Sequence, residues 1–149
     1  MKVDVLTEVV IDQPRHVVAG FAGNPTNAPQ WYANIKSVEW KTQPPVRVGS
    51  AMNFVAKFLG RRLAYTYEVS ELIEDEKLVM RTAQGPFAME TTYTWAEAGS
   101  GQTRMTLRNR GEPSGFAGVA APFMMAAMRR ANEKDLARLK AILEKALAT

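Results

Sequence analysis

Titratable residues that could perform catalysis are few in this sequence of 149 residues. The single histidine, His16, lies beside Arg15 at the start of a predicted short helix, where an exposed or capping role is the simpler interpretation. One histidine cannot form a histidine metal site or act as both general acid and general base. The nearest carboxylate pairs, Glu68 with Glu71 and Glu71 with Glu76, fall at a predicted strand end and turn, where solvation explains them. We therefore expect no bound metal ion.

Motifs for cofactors and covalent catalysis are also missing. The sequence has no cysteine, which excludes disulfides, thiolate zinc sites, iron–sulfur clusters and cysteine nucleophiles. The glycine-containing segment Gly111-Glu112-Pro113-Ser114-Gly115 lacks the spacing of a dinucleotide-binding or phosphate-binding loop. The sequence therefore predicts no cofactor.

What the sequence offers instead is a soft, aromatic set of side chains on one face of its predicted strands and on the last helix. Methionine adapts to irregular shapes, and tyrosine carries a hydrogen-bonding tip on an apolar body. Such side chains suit a pocket for a largely apolar ligand with a few polar anchors, although an ordinary packed core has the same periodicity. The candidate ligand-binding residues are Trp31, Tyr32, Phe54, Phe58, Tyr65, Tyr67, Met89, Tyr93, Met105, Asn109, Phe123, Met124 and Met128.

Four members of this set are polar anchors. Tyr65, Tyr67 and Tyr93 can orient a carbonyl or hydroxyl group of a ligand through their phenol groups. Asn109 lies two steps beyond Leu107 on the same strand face and can do the same near the mouth of a cavity.

The entrance to such a cavity has two candidate parts, each with an alternative. Trp31 and Tyr32 either line the entrance or fix the short helices onto the sheet. Gly115 and Gly118, with Pro122 soon after, either form a flexible gate or simply begin a helix with a proline in an early turn.

The element that must position these residues is a predicted helix from about Pro122 to Leu147. Leu136, Leu139 and Leu143 recur along it at the three- and four-residue steps of one helical face. A helix of about 25 residues spans roughly 38 Å, which is as long as a small domain is wide. A helix of this length has to pack against a broad surface.

Strand signals dominate the chain before this helix. In residues 2–11, Val3 and Val5 fall on one side of the chain and Asp4 and Leu6 on the other, as expected of a half-buried strand. Asp12 is a candidate N-cap of a short helix with Pro14 in its first turn, and a second short helix follows near residues 27–32.

Six further strands are predicted at about residues 35–42, 52–58, 63–69, 78–82, 87–95 and 103–108. Their connections are short, which favours an antiparallel meander with the helices on one face. The predicted fold class is therefore α+β. A seven-stranded antiparallel sheet curves around the long C-terminal helix, and two short helices lie between strands 1 and 2.

Charge and hydropathy limit the partners and the location. Nineteen lysine and arginine residues against fifteen acidic residues give a formal charge of +4, spread along the chain, so we expect no nucleic-acid partner. No stretch reaches signal-peptide or membrane-span length, so we expect no integral membrane segment. We expect a cytoplasmic protein with one domain over residues 1–149, as a monomer or homodimer. An interaction-only role, through the basic surface, is a further alternative.

Several local strings resemble one family. The segment Ile11-Asp12-Gln13-Pro14 is similar to the "I-x-A-P-x-x-V" opening of bacterial polyketide cyclase/dehydrase and lipid-transport proteins, which belong to the START-like, helix-grip superfamily. Asn24-Pro25, with Trp31 six residues later, resembles that family's "D-P-x-x-x-x-x-W". Gly49 before the third strand and Leu136-Ala137-Arg138-Leu139-Lys140 in the last helix also match. Gln13 and Asn24 depart from the family's more usual alanine and aspartate.

The resemblance implies a helix-grip fold with a cavity between the sheet and the C-terminal helix. It transfers no catalytic motif, because the superfamily places cyclases, lipid and quinone carriers and metabolite binders on one scaffold. We expect binding of a small, largely apolar molecule: a lipid, quinone, polyketide or aromatic metabolite. The alternative is a polyketide cyclase or dehydratase that uses a cavity tyrosine and water as acid and base. That enzyme would need a buried ionisable group with a perturbed pKa.

Overall fold

A computed structural model describes residues 2–85, 87–112 and 120–145 of the chain. Within these ranges the elements follow in the order β1 (Val3–Ile11), α1 (Arg15–Ala22), a 3-10 turn (Pro25–Asn27), α2 (Ala28–Trp31), β2 (Ile35–Trp40), β3 (Ala51–Phe58), β4 (Arg61–Ile73), β5 (Lys77–Gln84), β6 (Ala88–Gly99), β7 (Gln102–Glu112) and α3 (Ala121–Lys145). This order confirms the predicted α+β class, with short helices between the first two strands and a long helix after the last.

All of these strands lie in one antiparallel sheet with the order β1-β7-β6-β5-β4-β3-β2. Strands β2 to β7 each pair with their neighbours in sequence, as the short connections predict, and β1 pairs with β7 from Val3 opposite Gly111 onward. Irregularities between Val69 and Glu71 and between Glu97 and Gly99 interrupt the pairing register. Such bulges increase the bend of a strand, and the sheet forms a half-barrel with α3 against its concave face.

Burial alternates along the strands as the sequence predicts. Val3 and Val5 are buried at 4% and 0% exposure, whereas Leu6 is 53% exposed. In β3 the side chains of Met52, Phe54 and Ala56 point inward, each less than a tenth exposed. Because side chains of a strand alternate between its faces, these positions identify the inward-facing side of β1 and β3.

Helix α3 packs along β1 through an apolar face that includes the fully or nearly fully buried Leu136, Leu139 and Leu143. Two side chains fasten its C-terminal half to the chain near the end of β1. Gln13 Nε2 donates to the carbonyl of Leu143 at 2.9 Å, and Lys140 Nζ donates to the carbonyl of Val10 at 2.8 Å. The helix termini leave carbonyl groups without intrahelical partners, so Gln13 stabilises this end directly.

The predicted N-cap of the first helix is wrong. Helix α1 begins at Arg15, its N-cap residue is Pro14, and no side chain among the described residues caps it. Asp12 lies too far before the helix and instead donates its backbone N–H to Glu144 Oε2 at 2.8 Å.

The ends of the long helix are described only in part. Leu147, Gly115 and Gly118 lie outside the described residues, and Pro122 falls in the first turn of α3. Across the part of the chain that the structure describes, no helix has both the length and the apolar character required to cross a membrane.

Candidate functional site: a cavity between the sheet and the long helix

A cavity of about 160 Å³ lies between the concave face of the sheet, the short helices and α3. Strands β3 to β6 contribute most of the part of its wall that the sheet forms, and α3 covers it from the other side. Most of the predicted ligand-binding residues line it, namely Tyr32, Phe54, Phe58, Tyr65, Tyr67, Met89, Tyr93, Asn109, Met124 and Met128. The structure therefore brings together residues from six separate parts of the chain, because alternate positions of curved strands converge on one side.

One wall of the cavity is aromatic. The rings of Phe54, Tyr65 and Tyr67 on β3 and β4 lie with centroids 5.0 to 6.0 Å apart, in stacked and edge-on arrangements. These separations are within the range in which aromatic rings attract one another. Facing this wall, Met124 and Met128 of α3 contribute flexible thioether chains.

A cluster of polar groups lies where α2 meets α3, and we call it the polar end of the cavity: Tyr32, Tyr93, Asn132 and Asp135. The hydroxyl oxygens of Tyr32 and Tyr93 are 2.6 Å apart, and Asp135 Oδ1 accepts the backbone N–H of Ala33 at 3.1 Å. Asn132 is 5% exposed, and its Nδ2 has no hydrogen-bond partner among the described residues. A buried donor without a partner is costly, so this end is adapted to polar contact.

Asp135 is the ionisable group with the most unusual surroundings in the polar end. Its side chain is 3% exposed, and burial raises the pKa of its carboxyl group to about 6, although the N–H of Ala33 and the charge of Arg138 act in the opposite direction. Removal from water disfavours the charged form of a carboxyl group. Asp135 can therefore gain and lose a proton near neutral pH.

Burial also raises the pKa values of the cavity tyrosines, but the result is that their phenol groups keep their protons at neutral pH. Burial raises the pKa of Tyr67 to about 12 and that of Tyr93 further, and it holds the pKa values of Tyr32 and Tyr65 well above the ordinary range. These hydroxyls remain protonated at neutral pH and act as hydrogen-bond donors, not as bases.

A second set of polar side chains lies on the cavity wall, where three residues on β4, β6 and β7 are linked by hydrogen bonds. The Thr91 hydroxyl donates to Asn109 Oδ1 at 2.8 Å, and the Tyr67 hydroxyl lies 2.9 Å from the Thr91 oxygen. Because Thr91 has one hydroxyl hydrogen, Tyr67 must be the donor in that second bond. These hydrogen bonds use both hydroxyl hydrogens, so Asn109 Nδ2 is the donor of this set that remains without a partner among the described residues.

With the cavity described, comparisons with known proteins identify the family. The model of the polyketide cyclase/dehydrase and lipid transport family matches residues 2–144. The chain belongs to this family. No curated protein sequence matches it.

Three solved structures have the same fold. A START superfamily protein from Mycobacterium smegmatis superposes with a TM-score of 0.83 at 16% identity, covering 95% of this chain and 97% of that one. The Zhui aromatase/cyclase from a Streptomyces species gives 0.79 at 13% identity, covering 99% and 96%. Ginseng major latex-like protein 151 from Panax ginseng gives 0.75 at 15% identity, covering 94% and 96%. At these identities the likeness establishes the fold alone.

Three residues predicted for the cavity of this family member lie elsewhere. Trp31 is completely buried and packs on Tyr32 and Tyr93, with ring centroids 4.1 and 5.8 Å apart, so it fixes the short helices onto the sheet. Met105 is also completely buried, and it lies in the core because α1 covers that part of β6 and β7. Phe123 is 76% exposed, since it is one position, about a quarter turn, away from the buried Met124.

Asn132 and Asp135 were not among the predicted site residues. Both line the cavity, and both lie on the buried face of α3 with Met128 and Leu139. A charged residue three positions after an amide, within an otherwise apolar helical stripe, is the signal that could have identified them.

Proposed function

We propose that this protein binds a small, largely apolar molecule in the cavity between its sheet and α3. The observation that carries the proposal is the arrangement of the cavity itself: an aromatic and thioether wall with polar side chains concentrated at one end. Ligand pockets in proteins typically combine apolar walls with a few convergent polar groups that fix the orientation of the ligand. Membership of the polyketide cyclase/dehydrase and lipid transport family is consistent with this function.

The unpaired donor in the polar end gives a reason why a ligand would be held. Asn132 Nδ2 is buried without a partner among the described residues. An unsatisfied buried donor costs about 1–3 kcal/mol. A ligand acceptor that reaches Nδ2 would remove this cost, while its apolar part would be transferred from water to the cavity wall.

Native mass spectrometry of the protein purified from its own source tests the proposal. We expect an added mass that organic extraction releases and identifies as an apolar molecule. If the protein carries nothing and also fails to take up apolar fluorescent probes, the proposal is wrong, and the basic surface becomes the candidate for function.

Asp135 favours a second candidate function, an enzyme of the polyketide cyclase or dehydratase type. A general acid or base works best with a pKa near the operating pH, and burial brings the pKa of Asp135 to about 6. The cavity tyrosines would then act as donors that orient a carbonyl group, since their raised pKa values prevent them from acting as bases.

The enzyme candidate is tested by incubating the extracted molecule and its immediate precursors with the wild type and with Asp135→Asn. If Asp135 is a general base, we expect turnover by the wild type to rise with pH through about 6 and to fall by about 10²-fold or more in the variant. Turnover that Asp135→Asn leaves unchanged would rule out this role, and binding without turnover would leave the first function alone.

A further inference from the structure

Three groups in the polar end of the cavity, two donors and the free oxygen of Asp135, have no hydrogen-bond partner among the described residues. One donor is Asn132 Nδ2. The second is a phenol hydrogen, because Tyr32 and Tyr93 have two hydroxyl hydrogens and their mutual hydrogen bond uses one of them. The acceptor is the Oδ2 atom of Asp135, since the N–H of Ala33 is bonded to Oδ1. A ligand group that accepts two hydrogen bonds and donates one would pair with these three groups together.

A hydroxyl group has this combination, with two lone pairs and one hydrogen on a single oxygen. A carbonyl group has no hydrogen for the Asp135 carboxylate. A carboxylate would bring a second negative charge beside Asp135, and like charges destabilise one another in a buried site. An ammonium group has no lone pair and would leave Asn132 Nδ2 without a partner.

The size of the cavity selects the rest of the ligand. Its volume of about 160 Å³ lies below the roughly 300–1,000 Å³ of ordinary ligand pockets. An engineered apolar cavity of about 150 Å³ in another protein accommodates benzene. One six-membered ring therefore matches this volume, whereas a long acyl chain or a fused-ring system exceeds it. The rings of Phe54 and Tyr65, with centroids 5.6 Å apart, provide an aromatic surface against which such a ring can pack.

We propose that the cavity selects a single-ring phenol, whose hydroxyl group contacts Asn132 and Asp135 and whose ring lies against the aromatic wall. This inference rests on the proposed binding function and makes it more specific.

Isothermal titration calorimetry with four compounds tests it. 4-Methylphenol is the probe, and p-xylene has the same shape without the hydroxyl group. 2-Naphthol retains the hydroxyl group on two fused rings, and dodecanoate represents a lipid. We expect 4-methylphenol to bind at least about tenfold more tightly than p-xylene, because p-xylene leaves the polar end unsatisfied. We also expect it to bind more tightly than 2-naphthol and dodecanoate.

The variant Asn132→Leu separates the hydrogen bond from the shape of the cavity. We expect it to lose the preference for 4-methylphenol and to bind p-xylene at least as well as the wild type does, which also reports an intact fold. Lys134→Leu is the matched control, because it introduces the same side chain at an exposed position of the same helix. We expect that control to keep the wild-type preference.

The possible results distinguish this inference from the function on which it rests. Equal affinity of the wild type for p-xylene and 4-methylphenol would overturn the role of the hydroxyl group. Tighter binding of 2-naphthol or dodecanoate would overturn the single-ring ligand and leave the binding function standing. If none of the four compounds binds and no apolar probe enters the protein, both proposals are wrong.

Discussion

Replacing Asp135 with asparagine should stabilise the protein at neutral pH and leave it nearly unchanged in acid. The pKa of the Asp135 carboxyl group is raised from 3.8 to about 6 in the folded protein. Below pH 3.8 the group is protonated in both states and has no effect. Between these values the unfolded chain loses the proton first, so the folded state becomes progressively less stable, and above about pH 6 the penalty is constant.

The magnitude follows from the size of the shift. The change in the pKa of Asp135 from 3.8 to about 6 corresponds to about 3 kcal/mol, most of which develops between pH 4 and pH 7. Asparagine has no charge to bury and keeps an oxygen that can accept the N–H of Ala33, at 3.1 Å from Oδ1 in the wild type. We therefore expect Asp135→Asn to exceed the wild type in unfolding free energy by about 2–3 kcal/mol at pH 7.

Urea unfolding at pH 4 and pH 7 measures this difference, which corresponds to a midpoint shift of roughly 1 M at pH 7. Glu133→Gln is the matched control, because it removes an exposed carboxylate from the same helix and should change the midpoint little at either pH. If the difference between Asp135→Asn and the wild type is the same at both pH values, the carboxyl group does not have a raised pKa and the reasoning fails.

Three further substitutions test the packing around the site. Leu139→Ala removes a fully buried side chain from the centre of the α3 contact and should lower the unfolding free energy by about 2–5 kcal/mol in urea titrations; a change below 1 kcal/mol would contradict the packing. Gln13→Ala removes the donor to the Leu143 carbonyl and should cost about 0.5–1.5 kcal/mol, with faster amide exchange at the end of α3; unaltered exchange would argue against that fastening. Ala56→Leu places a larger side chain in the cavity wall and should abolish uptake of apolar fluorescent probes while far-ultraviolet circular dichroism is retained; undiminished uptake would locate binding elsewhere.

The sheet could be predicted from the sequence because alternation has one simple cause. A strand with one buried face repeats every two residues, and Val5 and Leu6 of β1 report the two faces directly, at 0% and 53% exposure. Short connections then leave an antiparallel meander as the economical topology. The position of α3 followed from its leucines, of which Leu139 is completely buried.

The details of the site depended on information that periodicity does not contain. A helix turns by about 100° per residue, so the sequence alone did not separate the exposed Phe123 from the buried Met124. The side chain of Met105 lies on the face of β7 that also borders the cavity, but α1 covers that part of the sheet. Alternation in the sequence predicts the face of a strand on which a side chain lies. Tertiary packing decides which part of that face borders a cavity.

Asp135 was missed for a different reason. Charged residues are rarely buried, so an aspartate within a helix is normally assigned to the exposed face. Asp135 lies on the same helical face as Met128 and Leu139, and the packing of that face buries it despite its charge. The N–H of Ala33 is its hydrogen-bond partner. The resulting cost in stability is the kind of local conflict that occurs at functional sites.

A crystal structure of the protein purified from its own source, with no ligand added, tests the central claim most directly. We predict electron density for an organic molecule in the cavity, with an oxygen within hydrogen-bonding distance of Asn132 Nδ2 and of the Asp135 carboxyl group. Density only for water, or a cavity closed by inward movement of Met124 and Met128, would contradict the account.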